Sequence, residues 1–209
     1  PARWRAKGPR HNTGTGVARG FASLRRPPTG IGALALIVRR PDIDQREVVA
    51  EAALDLAVGV VGDNWSVKPT KYGPPDPEAQ LNVMNARSAQ LVAGSIDRWP
   101  LAGDQLYVDF DLSAATLPAG SHLAIGEAVI EITEKPHTGC HKFAARFGAE
   151  ALRFVNVGAG QHLNLRGRCA TVIVSGTSRT GDPVTQLPAL PRPPPIHPTE
   201  APPPTPRCP

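Results

Sequence analysis

The chain has 209 residues, which is long enough to bury one substantial hydrophobic core. Its formal net charge is +5. The positive charge lies at the start, because residues 1–40 contain many Arg and Lys residues and no Asp or Glu. The rest of the chain is therefore net acidic. A nucleic-acid-binding domain needs a basic face of its own, so we expect no nucleic-acid partner.

The three cysteines form neither a disulfide framework nor a pair of CxxC zinc motifs. This usage is typical of a reducing compartment. No apolar run approaches the roughly 20 residues that span a bilayer. The first residues also lack the apolar core of a secretory signal. We therefore expect a cytoplasmic protein with no membrane partner.

The first third of the chain predicts a leader, a strand and a long loop. Residues 1–29 are rich in Gly, Arg and Pro without periodicity, which predicts a basic disordered leader. The apolar run 34–38 ends at Arg39-Arg40-Pro41 and predicts a buried strand. Apolar residues in 44–55 have helical spacing and favour a short helix, with a strand as the alternative. Residues 64–80 are rich in Pro and Gly and predict a loop.

The middle of the chain alternates strand and turn signals. Residues 81–84 predict a strand, and Asn85 is placed to cap a helix over 86–94. Apolar and polar residues alternate over 105–112, the pattern of a half-buried strand. Gly126-Glu127 separates two apolar runs and predicts a β-hairpin.

The last part predicts two helices and two strands. Phe143 and Phe147 are four residues apart and would share a helix face, and a second helix is predicted over 149–155. Residues 163–167 and 169–174 predict the last strands.

These elements predict a mainly β fold with inserted helices, in the form of a barrel-like single domain. We predict that the domain spans residues 30–182 and is flanked by disordered termini. Residues 183–209 hold half of the prolines of the chain and predict an extended, unpacked tail.

Cys140 is the leading candidate for chemistry. It lies between His137 on one side and His141 and Lys142 on the other. Cationic neighbours lower a cysteine pKa and favour the thiolate, which is the nucleophilic and metal-ligating form. The alternative is a small apolar residue beneath a turn.

Other kinds of site have weaker signals. The sequence has no Gly-x-Ser-x-Gly elbow and no Walker or Rossmann phosphate loop. A zinc site built from His137, Cys140 and His141 would need a fourth ligand such as His122 or His162, and neither has motif spacing.

A set of motifs resembles the MOSC domain, the C-terminal domain of molybdenum-cofactor sulfurases, which also occurs as small stand-alone bacterial proteins. The resemblance extends from about Ile31 to Asp182 and is closest to the stand-alone type. The matching motifs are Gly103-Asp104-Gln105-Leu106, residues 108–113, Leu117-Pro118-Ala119-Gly120, residues 125–133, Pro136-His137-Thr138-Gly139-Cys140, Arg146-Phe147-Gly148, Phe154-Val155-Asn156, Leu165-Arg166-Gly167 and Gly181-Asp182.

The resemblance implies a β-rich barrel-like fold with Cys140 as the functional cysteine and His137 as its companion. In the family this cysteine is proposed to carry sulfur as a persulfide or to engage molybdenum cofactor, which would make Cys140 a metal ligand. Lys142, Arg146 and Arg166 are expected to hold an anionic pterin phosphate. Asn85 and Arg87 are expected to line the same pocket. Asp63 and Asp104 would position a histidine or the basic groups, or only cap turns.

The chain departs from the MOSC pattern at one position, and one cofactor associated with that family is not expected here. The family often has Gly-Asp-Arg where this chain has Gly62-Asp63-Asn64, which removes one possible anion-binding group. Pyridoxal phosphate, which is associated with the family, belongs on chemical grounds to a sulfurase domain. We do not expect it here, and we assign Lys142 no Schiff-base role.

Three functions follow from these observations. The first is a MOSC protein whose Cys140 accepts and transfers sulfur or binds molybdenum cofactor, with a cysteine desulfurase or a molybdoenzyme as partner. The second is a molybdenum-dependent reductase of N-hydroxylated compounds, by analogy with related mitochondrial proteins. The third is a binding module in which Cys140 is structural.

Overall fold

The computed structural model describes residues 27–67 and 73–188. The predicted leader and most of the predicted tail lie outside the described residues. The strands are β1 Ile31–Arg39, β2 Glu47–Val49, β3 Glu51–Asp55, β4 Gly59–Val60, β5 Leu81–Asn85, β6 Leu106–Asp109, β7 His122–Ile125, β8 Ala128–Ile132, β9 Arg168–Val174, β10 Gly176–Arg179 and β11 Pro183–Gln186. The α-helices are α1 Ala86–Ala93, α2 His141–Phe147, α3 Ala149–Asn156 and α4 Ala159–His162, and two 3₁₀ segments cover Pro77–Ala79 and Ile96–Ala102.

Seven strands close into a β-barrel in the order β11, β7, β8, β9, β5, β6 and β1. The long strand β1 closes it, because its first residues pair with β11 and its later residues pair with β6. Strands β5 and β6 are parallel, with α1 and the second 3₁₀ segment between them. The other pairings in the barrel are antiparallel. The mainly β, barrel-like fold predicted from the sequence is therefore confirmed.

Two clusters of buried side chains stabilise this arrangement. The first lies among the strands and contains Leu34, Leu106 and Ile130. The second includes Leu36 on β1, Tyr107 on β6 and residues of the helices. Successive side chains of a strand point to opposite faces, so β1 and β6 contribute to both clusters. The second cluster packs α1, α2 and α3 against the barrel wall and so fixes the position of Cys140.

Several local predictions are confirmed. The Asn85 side chain accepts hydrogen bonds from the backbone N–H groups of Arg87 and Ser88 and so caps α1. Strands β7 and β8 form the predicted hairpin around Gly126-Glu127. The rings of Phe143 and Phe147 lie on one side of α2 with their centroids 4.9 Å apart.

Two predicted elements are wrong. The helix preferred over 44–55 is wrong and the strand named as its alternative is confirmed, because the segment forms β2 and β3, in which Ala52 and Leu54 are buried while Glu51 and Ala53 are exposed. A short apolar run fits both the helical spacing and the alternation of a strand. The pairing of β3 with β10 selects the strand. The strand predicted over 163–167 is a series of turns, with Asn164 at φ 50° and Gly167 at φ 114°.

The predicted domain boundary at Asp182 is also wrong, because β11 follows it. Val184 is fully buried, and β11 pairs with both β1 and β7. Pro183 is the first residue of this strand, a position that tolerates proline. The proline content of the segment concealed a strand that closes the barrel.

No helix within residues 27–67 and 73–188 is long and apolar enough to span a bilayer.

Candidate functional site

A cavity of about 560 Å³ lies where the chain leaves β1 and meets the segment that precedes α2. Five cationic side chains and three carboxylates line it. The cations are Arg40, Arg46, Lys142, Arg146 and Arg166, and the carboxylates are Asp42, Asp44 and Asp76. His137, Cys140, Trp65 and Phe143 also contribute to the wall.

Cys140 is exposed and immediately precedes the first residue of α2. Partial burial would raise the pKa of its thiol, but the backbone N–H groups of Phe143 and Lys142 and the charges of Arg166 and Arg146 outweigh that effect and lower it. A lowered pKa increases the fraction of thiolate at neutral pH. The thiol is therefore both accessible and activated.

The peptide before Cys140 is held by Asn156, the last residue of α3. The Asn156 side chain accepts a hydrogen bond from Gly139 N–H at 2.8 Å and donates one to the Gly139 carbonyl at 3.0 Å. A Cβ atom at Gly139 would lie 2.7 Å from Leu152 Cδ1, so a glycine permits α3 to pack this closely. Asn156 thereby fixes the backbone that carries the thiol. The sequence analysis assigned it no role.

Asp104 is fully buried behind the cavity wall and links two of its residues. It accepts hydrogen bonds from Arg166 Nη1 at 2.9 and 2.7 Å, and its Oδ1 lies 2.8 Å from His137 Nε2. Burial would raise the pKa of Asp104, but the charges of Arg166 and His137 and their hydrogen bonds lower it. Asp104 is therefore a carboxylate that can only accept hydrogen bonds.

The His137 ring is neutral at pH 7. Burial and the charge of Arg166 lower its pKa, although Asp104 acts in the opposite direction. Because the Asp104 carboxylate is an acceptor, the Nε2 of His137 carries the proton and Nδ1 has a free lone pair. His137 can therefore accept a proton in the cavity.

Two buried guanidinium nitrogens lack a partner among the described residues of this cavity. Arg166 donates through Nη2 to the Ala102 carbonyl at 3.0 Å and lies over the Phe143 ring, but its Nε has no acceptor. Arg46 Nε also has no acceptor. Burial, Arg146 and Arg40 lower the pKa of Arg46, which reflects the density of positive charge there.

Asp63 positions another cation of the wall. It accepts hydrogen bonds from the backbone N–H, Nε and Nη2 of Arg40, each at 2.9 Å. Arg40 also donates to the Gly103 carbonyl at 3.0 Å. Asp63 and Asp104 are therefore buried hydrogen-bond partners of cationic residues in the wall, and their role in a reaction stays a prediction.

Arg146 and Lys142 come from α2. Arg146 donates to the Leu101 carbonyl at 2.9 Å and to Asp44 at 3.0 Å. Asp44 has φ 57°, an uncommon conformation for a residue other than glycine. Lys142 is exposed at the cavity.

The structure does not place Asn85 and Arg87 at this cavity. Asn85 is the cap of α1 and donates to the Phe110 carbonyl at 2.7 Å. Arg87 donates to both oxygens of Asp109, at 2.7 and 3.0 Å. The expectation that they line the pocket of Cys140 is therefore wrong, because their side chains serve local contacts between α1 and the end of β6.

The sequence analysis missed Arg40 and Arg46 as site residues. The Arg39-Arg40 pair was interpreted only as the end of a strand. Cations directly after a buried strand were an available signal, but the return of this segment to the cavity depends on long-range pairing.

No cluster of three or more His, Cys, Asp and Glu side chains that could hold a metal ion occurs in the described parts of the chain.

The fold is similar to solved structures of bacterial proteins. YuaD from Bacillus subtilis aligns with a TM-score of 0.55 and 15% identity over 75% of this chain and 96% of that one. YiiM from Escherichia coli aligns with a TM-score of 0.50 and 18% identity over 76% and 71% of the two chains. At these identities the likeness establishes the fold alone. Neither a family model nor a curated protein matches the sequence.

Proposed function

We propose that this chain is a MOSC-type sulfur carrier in which Cys140 holds the transferred sulfur as a persulfide. The observation that supports this most directly is an exposed thiol of lowered pKa on the wall of a cationic cavity. A buried or unactivated thiol would not suit the chemistry, because the thiolate is the nucleophile.

Sulfur transfer needs two displacement steps. In the first, the Cys140 thiolate attacks the outer sulfur of a donor persulfide, an S–S bond forms at Cys140, and the donor thiolate leaves. In the second, an acceptor nucleophile attacks the outer sulfur on Cys140, and the Cys140 thiolate leaves. A low thiol pKa favours the second step because it makes Cys140 a better leaving group.

His137 in the wall and Asp104 behind it support these steps. The neutral His137 ring can take a proton from an incoming thiol or persulfide. The Asp104 carboxylate holds the ring in its Nε2-protonated form, as its 2.8 Å contact indicates. Asp104 therefore acts as a positioning residue through His137 and Arg166.

Mass spectrometry tests the carrier function. The protein is incubated with a cysteine desulfurase and cysteine, and the peptides are mapped. We expect one additional sulfur atom on the Cys140 peptide, no such adduct in Cys140→Ser, and a normal adduct in the matched control Cys169→Ser. A protein that acquires no sulfur on Cys140 from this donor or from a small sulfane-sulfur donor would contradict the proposal.

A second candidate is molybdenum cofactor binding, which the partnerless Nε atoms of Arg46 and Arg166 favour. A thiolate is a soft ligand for a metal, and guanidinium groups hold phosphate oxygens. The residues therefore fit such a group: Cys140 would contact the metal, and Arg46 and Arg166 would face the phosphate. The cofactor would supply redox chemistry, including reduction of N-hydroxylated compounds.

Metal analysis distinguishes the two candidates. Protein from a host that makes molybdenum cofactor is compared with its Cys140→Ser variant. Near-equimolar molybdenum that is lost in the variant would support cofactor binding. Metal-free protein that still accepts sulfur would support the carrier.

A further inference from the structure

We propose that the sulfur donor of this site is a small thiosulfate-type dianion, in which a sulfane sulfur is attached to a sulfonate group. The proposal rests on the carrier function above and specifies its substrate class. It assigns the cationic residues of the cavity to the sulfonate end of the donor and Cys140 to its sulfane sulfur.

The charge of the cavity supports an anionic donor. Three of the five cations already pair with carboxylates: Arg40 with Asp63, Arg146 with Asp44 and Arg166 with Asp104. Of the remaining lining carboxylates, Asp76 pairs with Lys135, a residue outside the lining. Arg46 and Lys142 therefore face Asp42 alone, which leaves an excess of positive charge in the cavity. Cationic clefts raise the local concentration of anionic substrates.

Unsatisfied donors in the wall support oxygen atoms as ligands. Arg166 is 6% exposed, and its Nε has no acceptor in the described residues. Arg46 lines the same cavity, and its buried Nε also has no acceptor in the described residues. Buried N–H groups are nearly always satisfied in native proteins, so each exception requires an explanation. Sulfonate oxygens would supply acceptors for both nitrogens.

The reaction with thiosulfate releases a dianion that the same cationic residues can stabilise. The Cys140 thiolate attacks the sulfane sulfur of thiosulfate, the Cys140–sulfur bond forms, the sulfur–sulfonate bond breaks, and sulfite leaves with the electron pair. The products are a deprotonated Cys140 persulfide and a sulfite dianion, so charge is conserved and no external oxidant or reductant is needed. Guanidinium groups stabilise the departing dianion.

A protein persulfide donor would not need this arrangement. Its reacting sulfur carries at most a single negative charge and arrives on a polypeptide. Two guanidinium groups on the wall of one cavity, each with a buried Nε that lacks an acceptor in the described residues, instead match a compact group with several oxygen acceptors. The cavity also has space for a small acceptor beside the donor, since binding cavities of several hundred Å³ hold drug-sized ligands.

Thiocyanate formation from thiosulfate and cyanide tests the proposal. Cyanide removes the outer sulfur from the Cys140 persulfide and regenerates the thiolate. We expect turnover in the unaltered protein and in Cys169→Ser, and none in Cys140→Ser. In Arg46→Gln we expect the KM for thiosulfate to rise about tenfold or more, as loss of a charge-assisted hydrogen bond implies.

A matched control distinguishes loss of a contact to thiosulfate from the general effects of replacing an arginine. Arg98 also has a buried Nε without an acceptor in the described residues, but it does not line the cavity. We expect Arg98→Gln to leave the KM for thiosulfate unchanged. Arg46→Gln is preferred to Arg166→Gln because Arg166 supports buried Asp104, and circular dichroism confirms that each variant is folded.

The outcomes distinguish this proposal from the carrier function. In one outcome, the cysteine desulfurase loads sulfur onto Cys140 while thiosulfate gives no thiocyanate. That result would contradict the thiosulfate-type donor and would still support the carrier function. Failure of both donors would overturn both. Equal KM values for Arg46→Gln and Arg98→Gln would overturn the assignment of the sulfonate to this cavity.

Discussion

Cys140 and Cys169 are the two cysteines in the described parts of the chain, and their environments are opposite. Cys140 is exposed before α2, where backbone N–H groups and arginines lower its pKa against the effect of burial. Cys169 lies buried in β9, where burial and the charge of Asp104 raise its pKa to about 11. The same side chain is thus a candidate nucleophile at one position and an inert core residue at the other. The buried charge of Asp104 acts against the thiolate of Cys169, while its partner Arg166 favours that of Cys140.

The largest predicted effect is on thiol reactivity. At pH 7 we expect Cys140 to react with iodoacetamide more than about a hundredfold faster than Cys169, because the pKa values separate their thiolate fractions. Cys169→Ser should retain the fast phase and Cys140→Ser should lose it. The rates are measured by mass spectrometry. Comparable rates for the two thiols in the folded protein would remove the contrast.

Asp104→Asn should destabilise the protein by about 3 kcal/mol, since it leaves Arg166 buried without its carboxylate partner. The free energy of unfolding is measured by urea titration. Asp109→Asn is the matched control, because the Arg87–Asp109 pair is one-third exposed and should cost less than about 1 kcal/mol. Similar losses in the two variants would show that burial does not distinguish these pairs.

The network behind Cys140 should make the protein sensitive to acid. The folded-state pKa of His137 lies below its ordinary value of 6.5, so the unfolded chain binds more protons just below pH 6.5 and stability falls as the pH decreases. The lowered pKa of Asp104 acts in the same direction: its contribution is present above the ordinary value of 3.8 and is lost as the pH falls through the folded-state value. His137→Gln should flatten the dependence near pH 6. An unchanged slope in urea titrations at several pH values would contradict this assignment.

The smallest predicted effect concerns Asn156. Asn156→Ala should cost about 1 kcal/mol of stability and should also raise the thiol pKa of Cys140, because the backbone before the thiol is released. Gln186→Ala is a suitable control, since it removes a side-chain hydrogen bond to the Thr116 carbonyl elsewhere in the fold. It should cost similar stability and leave the thiol pKa unchanged. A Cys140 pKa that does not respond to Asn156→Ala would reduce Asn156 to a packing role.

Elements with local signals were predictable from the sequence. The Asn85 cap and the Gly126-Glu127 turn depend on residues within a few positions of one another, so their patterns indicated the correct structure. The barrel-like architecture followed from many short strands separated by turns. The histidine and lysine residues beside Cys140 likewise marked the thiol that the structure places at a cationic cavity.

Elements that depend on distant partners were not predictable. Strand β11 contains a proline and joins the sheet through β1, which lies more than a hundred residues earlier in the chain. Arg40 and Arg46 reach the cavity through the path of the chain after β1, and Asn156 reaches Gly139 through the packing of α3. Asn85 and Arg87 show the converse error: their position after a strand favoured a site role, but local capping and pairing engage both side chains.

The activated state of Cys140 is the claim on which the proposed chemistry depends, and ultraviolet titration of its thiolate in a Cys169→Ser, Cys208→Ser double variant tests it most directly. The folded protein is titrated beside the same variant unfolded in urea. We predict a folded-state pKa below that of the unfolded chain, because the neighbouring N–H groups and arginines favour the anion. A folded-state pKa equal to or above the unfolded value would contradict the account.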